Sequence, residues 1–391
     1  MTPHILAATL VASQAWMAAQ TPNNVMVGVY HWGGAASKSM TGGVAHIAAL
    51  GGRTVRVTLS PTYYADYGLG RECYRDYSLA VLAQHADVTA ALSYPGIQVV
   101  MLTAYDGTGF GDCRTQRYLN PEFYSPDNVA AMVREYSDFT LHLYQAHHDS
   151  GKEFIISNWE ADNTVYCGAA YAYATDPMFR AECDAAYPAL YSGNTSASQT
   201  LEGLRRWFET RERGIADGRR RALALGLAGV EVYQAPELSI VHALADARLG
   251  SVLYDVLPYL GFEHVSYSSY ESINQADPAG ALARDVETIR AITGSAQVII
   301  GEMGFARSQW GSAVVGRLQA VISAAAASGV RVIIHWQLFD QDRQNDFGLY
   351  DSQDQVTEAA LYFQRIFADA ASPETEEGRP IHLFPSPGAR R

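Results

Sequence analysis

Positive charge is scarce in this chain: 28 Lys and Arg residues face 41 Asp and Glu, leaving a net charge of −13 at pH 7. An acidic protein is repelled by nucleic acid and by anionic membrane surfaces, so neither is an expected partner. Long apolar runs are missing too, and beyond the N-terminal twenty residues no stretch could span a bilayer. Cysteine is limited to Cys73, Cys113, Cys167 and Cys183, with no close-set pair of the kind that grips zinc. Neither His nor Asp and Glu cluster at a metal-ligand spacing, and no triad motif stands out. The segment YHWGGAAS after the first apolar run lacks the Gly-rich phosphate turn of a dinucleotide fold, which argues against a doubly wound open sheet. No metal or cofactor is expected.

What is present is an ordinary globular composition, 48% hydrophobic and 18% charged, in 391 residues. That length suits one barrel domain with insertions in its loops. Residues 1–20 form a short apolar run with small residues at its end, read as a secretory signal peptide although no Lys or Arg precedes the run. Residues 21–368 then make a single domain, and the Pro- and Glu-rich stretch 369–391 reads as a flexible tail. The four cysteines lie in loop-like sequence and point to two disulfides in an oxidising compartment, hence a secreted or periplasmic protein. Four cysteines allow three pairings; the simplest joins Cys73 to Cys113 and Cys167 to Cys183.

Short β-rich apolar runs recur at 26–30, 54–59, 97–102, 154–157, 230–234, 264–268, 298–301 and 332–336. Segments of helical period separate most of them, at 78–92, 127–148, 201–225, 279–292 and 312–327, and another follows at 356–367. Strand and helix in alternation, with eight strands, predict a (β/α)8 TIM barrel. Two of its βα loops are long, 60–77 after strand two and 161–200 after strand four, and both are rich in tyrosine. Tyr63, Tyr64, Tyr67, Tyr74, Tyr77, Tyr166, Tyr171 and Tyr173 could stack on sugar faces, or simply pack the loops down.

Glu160, in FIISNWEADN, and Glu302, in VIIGEMGF, each follow such an apolar run. Carboxylates launched from two strand ends can converge on one pocket, and a converging pair is the machinery of glycosidic cleavage. One must stay protonated near neutral pH to serve the leaving oxygen, while the other stays ionised to attack the anomeric carbon. Arg56 is expected to hold Glu302 ionised, and the charge of Glu302 to raise the proton affinity of Glu160. A wider, inverting pair drawing on Asp106, Glu237, Asp340 or Asp342 is the competing arrangement.

With glutamates ending strands four and seven, Arg56 in strand two and Trp336 ending strand eight, the chain resembles clan A glycoside hydrolases, retaining (β/α)8 enzymes. The resemblance implies Glu160 as acid/base, Glu302 as nucleophile, Arg56 beside the nucleophile and Trp336 under the sugar. It also implies that Tyr267 or Tyr270 donates to the nucleophile. The clan usually carries Asn directly before the acid/base, whereas Trp159 stands there and Asn158 lies one place earlier. Alternation of strand faces bars Asn158 from that contact unless the strand bulges or has ended, and leaves Asn163 or a neighbour to make it. His31, Trp32, Tyr105, Asp106, Gln234 and Glu237, all just past strands, are further candidates for lining the pocket.

The expected function is retaining hydrolysis of a neutral poly- or oligosaccharide, endo-acting in view of the long loops. Two readings compete: a barrel that binds glycans without cleaving them, and a barrel hydrolase or lyase with Glu302 as a base toward another substrate.

Overall fold

A computed structural model describes residues 25–33, 39–67, 77–110, 115–191, 193–295, 297–341 and 345–371 of the chain. Among these residues nine parallel strands run β1 Met26–Tyr30, β2 Thr54–Leu59, β3 Val99–Ala104, β4 Lys152–Ser157, β5 Val230–Gln234, β6 Glu237–Leu238, β7 His264–Ser268, β8 Gln297–Met303 and β9 Val332–His335. Their order is β5-β4-β3-β2-β1-β9-β8-β7-β6. The two ends of that order are consecutive in sequence, because β5 and β6 are one barrel strand broken at Pro236. The Ala235 N–H still donates to Ile156 O of β4 (2.9 Å), while Pro236 O accepts from the Ser266 N–H of β7 (2.9 Å). Proline has no N–H to extend the first ladder, so the chain changes partners there. The sheet thereby closes into a (β/α)8 barrel.

Alternation along the strands sorts side chains into two apolar layers. Val99, Met101, Ile155, Tyr233, Ile299, Val332 and Ile334 fill the barrel interior, whereas Val55, Val57, Val100, Leu102, Phe154 and Ile156 pack outward against the helices. Residues of β2, β3 and β4 are buried throughout, as strands covered on both faces must be.

Several expected boundaries shift. The helix expected over 78–92 is two, Leu79–Ala83 and Ala86–Leu92, because extended His85 caps the second, and Asp87 in its first turn accepts the N–H groups of Met40 (2.8 Å) and Thr41 (3.0 Å). Those donors open a helix, Met40–Ala49, that the sequence reading lacks because of Gly42 and Gly43. Glycine is required at 43: a Cβ there would lie 2.1 Å from the His31 ring. The long loop after β4 is itself helical, with Ala161–Val165, Ala170–Thr175 and Pro177–Leu190, and a Cys167–Cys183 disulfide staples it (Cα atoms 5.9 Å apart). Cys73, Cys113, the leader 1–20 and Asp342 lie outside the described residues. The last helix, Glu358–Ala371, runs past the boundary expected at 368.

Candidate active site

Arg56 organises the C-terminal mouth of the barrel. It alternates with outward Val55 and Val57, so its guanidinium points inward, fully buried, with its carbon 4.5 Å from the centre of the Tyr30 ring. All five of its N–H donors are engaged. Nε donates to Thr103 Oγ1 (2.9 Å), Nη1 to Glu237 Oε2 and Gly301 O (both 2.8 Å), and Nη2 to Glu237 Oε1 (3.0 Å) and Asn158 O (2.9 Å). Glu302 receives none of them, and its Oε2 lies 3.7 Å from Nη1. Arg56 is expected to hold Glu302 ionised by attraction; its hydrogen-bonded counter-ion is instead Glu237, and it reaches Glu302 through charge alone.

Strict alternation from inward Ile299 would turn Glu302 outward. The register slips between Ile300 and Met303, so Gly301 and Glu302 both face inward before Met303 rejoins the outer layer. A bulge of this kind re-aims one side chain into a site. Glu302 belongs to β8 itself rather than lying past it. Its Oε1 accepts from the Tyr270 hydroxyl (3.3 Å), and its buried Oε2 has no hydrogen-bond partner among the described residues.

Glu160 follows the end of β4. Its Oε1 accepts from Ser268 Oγ (2.5 Å), its Oε2 from Asn163 Nδ2, and its main-chain N–H donates to Glu237 Oε1 (3.2 Å). Both glutamates are about nineteen-twentieths buried, Glu160 5% and Glu302 4% exposed. Burial pushes the Glu160 carboxyl up to about 7, with the negative charge of Glu237 adding to it. Burial, followed by the charge of Glu160, holds Glu302 well above the usual carboxylate range against the pull of Arg56. The two carboxyls oppose each other's ionisation, so the pair retains a proton close to neutral pH.

A pocket of ≈ 380 Å³ opens beside Glu160, walled by Asn163, Tyr171, Ser239, Ser268, Tyr270, Asn274 and Gln275. Among the described residues no cationic side chain lines it. Glu271, also on the wall, spends its carboxylate on the N–H groups of Val241, His242 and Ala243. The Ser239 hydroxyl is buried and without a partner among the described residues.

No family model matches the chain, nor does any curated protein. Solved structures do. A β-glycosidase aligns with a TM-score of 0.56 at 14% identity, over 92% of this chain and 99% of its own. A GH5_18 structure from Streptomyces cattleya in complex with GlcNAc aligns at 0.53 and 17% identity, over 91% of this chain and 82% of its own. Another GH5_18, from Bifidobacterium longum subsp. longum, aligns at 0.54 and 13%, over 90% and 80%. The barrel is one that glycosidases use. At such identities the likeness is one of fold.

Within this barrel the other expected residues divide. Trp336 meets the Tyr30 ring edge-on (4.9 Å between centroids) and stacks near Trp32 (6.0 Å), making an aromatic wall. Trp159 is 38% exposed, with its main-chain N–H donated to the Tyr105 hydroxyl (3.0 Å). Tyr270 makes the expected contact with Glu302, whereas Tyr267, one place from inward Ser266 and Ser268, faces the helices and donates to Asp285 (3.0 Å). Asn158 is spent on structure: its Oδ1 accepts the Glu237 N–H (3.0 Å) and its Nδ2 donates to Glu237 O (3.0 Å), tying β4 to β6. Asn163 takes the place beside Glu160.

Alternation also removes three candidates from the pocket. His31 points outward beside Tyr67 and Phe339, and Gln234 faces the helix Ala197–Ala224, where it accepts from Arg211. Asp106 accepts from Trp207 Nε1 (2.8 Å) and the Tyr136 hydroxyl (3.1 Å), so it is no alternative acid. Asp340 likewise pairs with Arg307 in a loop. Among the tyrosines, Tyr63, Tyr67, Tyr166 and Tyr173 are buried packing, while half-exposed Tyr171 reaches the pocket. Ser268, Ser239, Asn274 and Gln275 escaped the sequence reading; only Ser268 had a signal, its inward phase in HVSYS.

Proposed function

We propose that the protein is a retaining glycoside hydrolase with Glu302 as nucleophile and Glu160 as acid/base. The observation that carries this reading is the asymmetry of the pair. Among the described residues Glu302 keeps one buried oxygen free of hydrogen bonds beside a cation, as an attacking atom requires, whereas both oxygens of Glu160 accept hydrogen bonds, from Ser268 and Asn163. In the first step Glu302 Oε2 bonds to the anomeric carbon while Glu160 transfers its proton to the departing glycosidic oxygen. In the second, Glu160 takes a proton from water as that water attacks the same carbon and releases Glu302.

The pocket beside Glu160 is then where the leaving-group side of the substrate rests. Its polar wall, with amides at Asn274 and Gln275, a Ser239 hydroxyl without a partner among the described residues and the Glu271 carboxylate already taken up by main-chain N–H groups, supports a hydroxyl-rich, uncharged group. Room on that side supports a substrate that continues past the scissile bond, and with it endo action. The Cys167–Cys183 bridge supports maturation in an oxidising compartment, secreted or periplasmic.

The test is Glu160→Ala. Its turnover of natural glycosides, whose leaving group needs a proton, should collapse, while aryl glycosides with good leaving groups remain substrates. Azide should restore turnover of the aryl glycoside and yield a glycosyl azide of retained configuration. Equal loss on both substrate types with no azide product would sink the assignment.

A further inference from the structure

A third carboxylate, Glu237, lies beneath the proposed pair with no exposed surface. It meets Arg56 through both oxygens (2.8 and 3.0 Å), accepts from Ser266 Oγ (2.8 Å) and accepts the main-chain N–H of Glu160 (3.2 Å). Its own main chain is clasped on both sides by Asn158. The barrel is shaped around it: a Cβ at Gly301 would lie 2.1 Å from Glu237 Oε2 and from Ser266 Oγ, so the residue before Glu302 must be glycine for this carboxylate to fit.

We propose that Glu237 is a positioning residue that claims Arg56 as its counter-ion and thereby leaves the Glu160–Glu302 pair in a site of net negative charge. A bidentate guanidinium–carboxylate contact is stronger than a single-point attraction at 3.7 Å, so the charge of Glu237 opposes the pull that Arg56 still exerts on Glu302. With the pair sharing one proton, the four groups together carry one negative charge. That charge favours the positive character that develops at the anomeric carbon, and in this catalytic sense the inference rests on the hydrolase reading. Glu237 also fixes the Glu160 backbone, which sets where the acid points. The titratable groups that feel it are Arg56 from β2, Tyr105 after β3, Glu160 after β4 and Glu302 in β8; β7 contributes only the neutral Ser266.

The charge is removed in Glu237→Gln and drawn back by one methylene in Glu237→Asp. In full-length protein carrying 13C-labelled glutamate carboxyls, the titrations of Glu160 and Glu302 are followed by NMR, assigned with Glu160→Gln and Glu302→Gln. Freed from its counter-ion, Arg56 should pull both titrations to lower pH, by about one pH unit or more in Glu237→Gln and by less in Glu237→Asp. Both limbs of the kcat/KM profile on an aryl glycoside should move the same way. Titrations that stay in place, or rise, in either folded variant overturn the proposal; should the Gln variant not fold, the Asp variant decides. Because the NMR titration needs no substrate, wild-type protein that cleaves no glycoside would sink the hydrolase reading while leaving the charge role of Glu237 decided on its own.

Discussion

Replacing Glu160 with Gln should stabilise the protein in alkaline solution and leave its stability almost unchanged in acid. Folding raises the affinity of this carboxyl for its proton, from 4.5 to about 7, chiefly through burial. The sign follows from proton counting. Above pH 4.5 the unfolded chain releases the proton while the folded protein keeps it, so stability falls as pH rises and the full penalty is reached above pH 7. Each pH unit of difference is worth about 1.4 kcal/mol, so the ionised carboxylate costs about 3 kcal/mol at pH 8. Glutamine keeps the shape and both neighbours: its oxygen accepts from Asn163, and its NH2 can donate to Ser268 Oγ, which accepts as readily as it donates. With an unfolding entropy of about 2 cal/mol/K per residue, 3 kcal/mol corresponds to a rise in Tm of about 4 °C. Scanning calorimetry at pH 8 and pH 4 should show that rise at pH 8 and almost none at pH 4. An equal change at both pH values, or a lower Tm at pH 8, would refute the claim that burial strains this carboxylate.

Glu302→Gln should lower turnover of every glycoside the wild type cleaves by about a thousandfold or more, since an amide oxygen does not form the glycosyl ester at a useful rate. Its circular dichroism should match the wild type; substantial residual activity would remove Glu302 as nucleophile. Cys167→Ser opens a loop closed over a separation of 16 residues and should cost about 3 kcal/mol, read as a drop in Tm of about 4 °C. An unchanged Tm in the Ser variant would mean that the helices of the loop hold it without the bridge.

Much of this molecule is legible in one dimension. Apolar runs of four to six residues, alternating with amphipathic stretches, already point to parallel strands buried on both faces, and eight of them without a Gly-rich phosphate turn point to a closed barrel. Glu160 and Glu302 stand out because each adjoins a run that has no other use for a charge. Arg56, inserted between Val55 and Val57, can only point into the barrel. His31 and Tyr267, candidates for the pocket by their place at strand ends, turn outward because they alternate with inward Tyr30 and with Ser266 and Ser268. What alternation cannot announce is its own interruption: Pro236 divides the fifth strand between two partners, and the slip at Gly301 turns Glu302 inward where strict phase would send it out. Nor does the order of residues say which carboxylate Arg56 takes. Glu237, 181 positions away, wins both ends of the guanidinium over Glu302 because the broken fifth strand carries its side chain beneath the mouth of the barrel. Composition and periodicity depend on neighbours along the chain, so the sequence alone settles the barrel and nominates its charged residues. The pairing of buried charges depends on ångström distances between strands far apart in sequence, and those exist only once the sheet has closed.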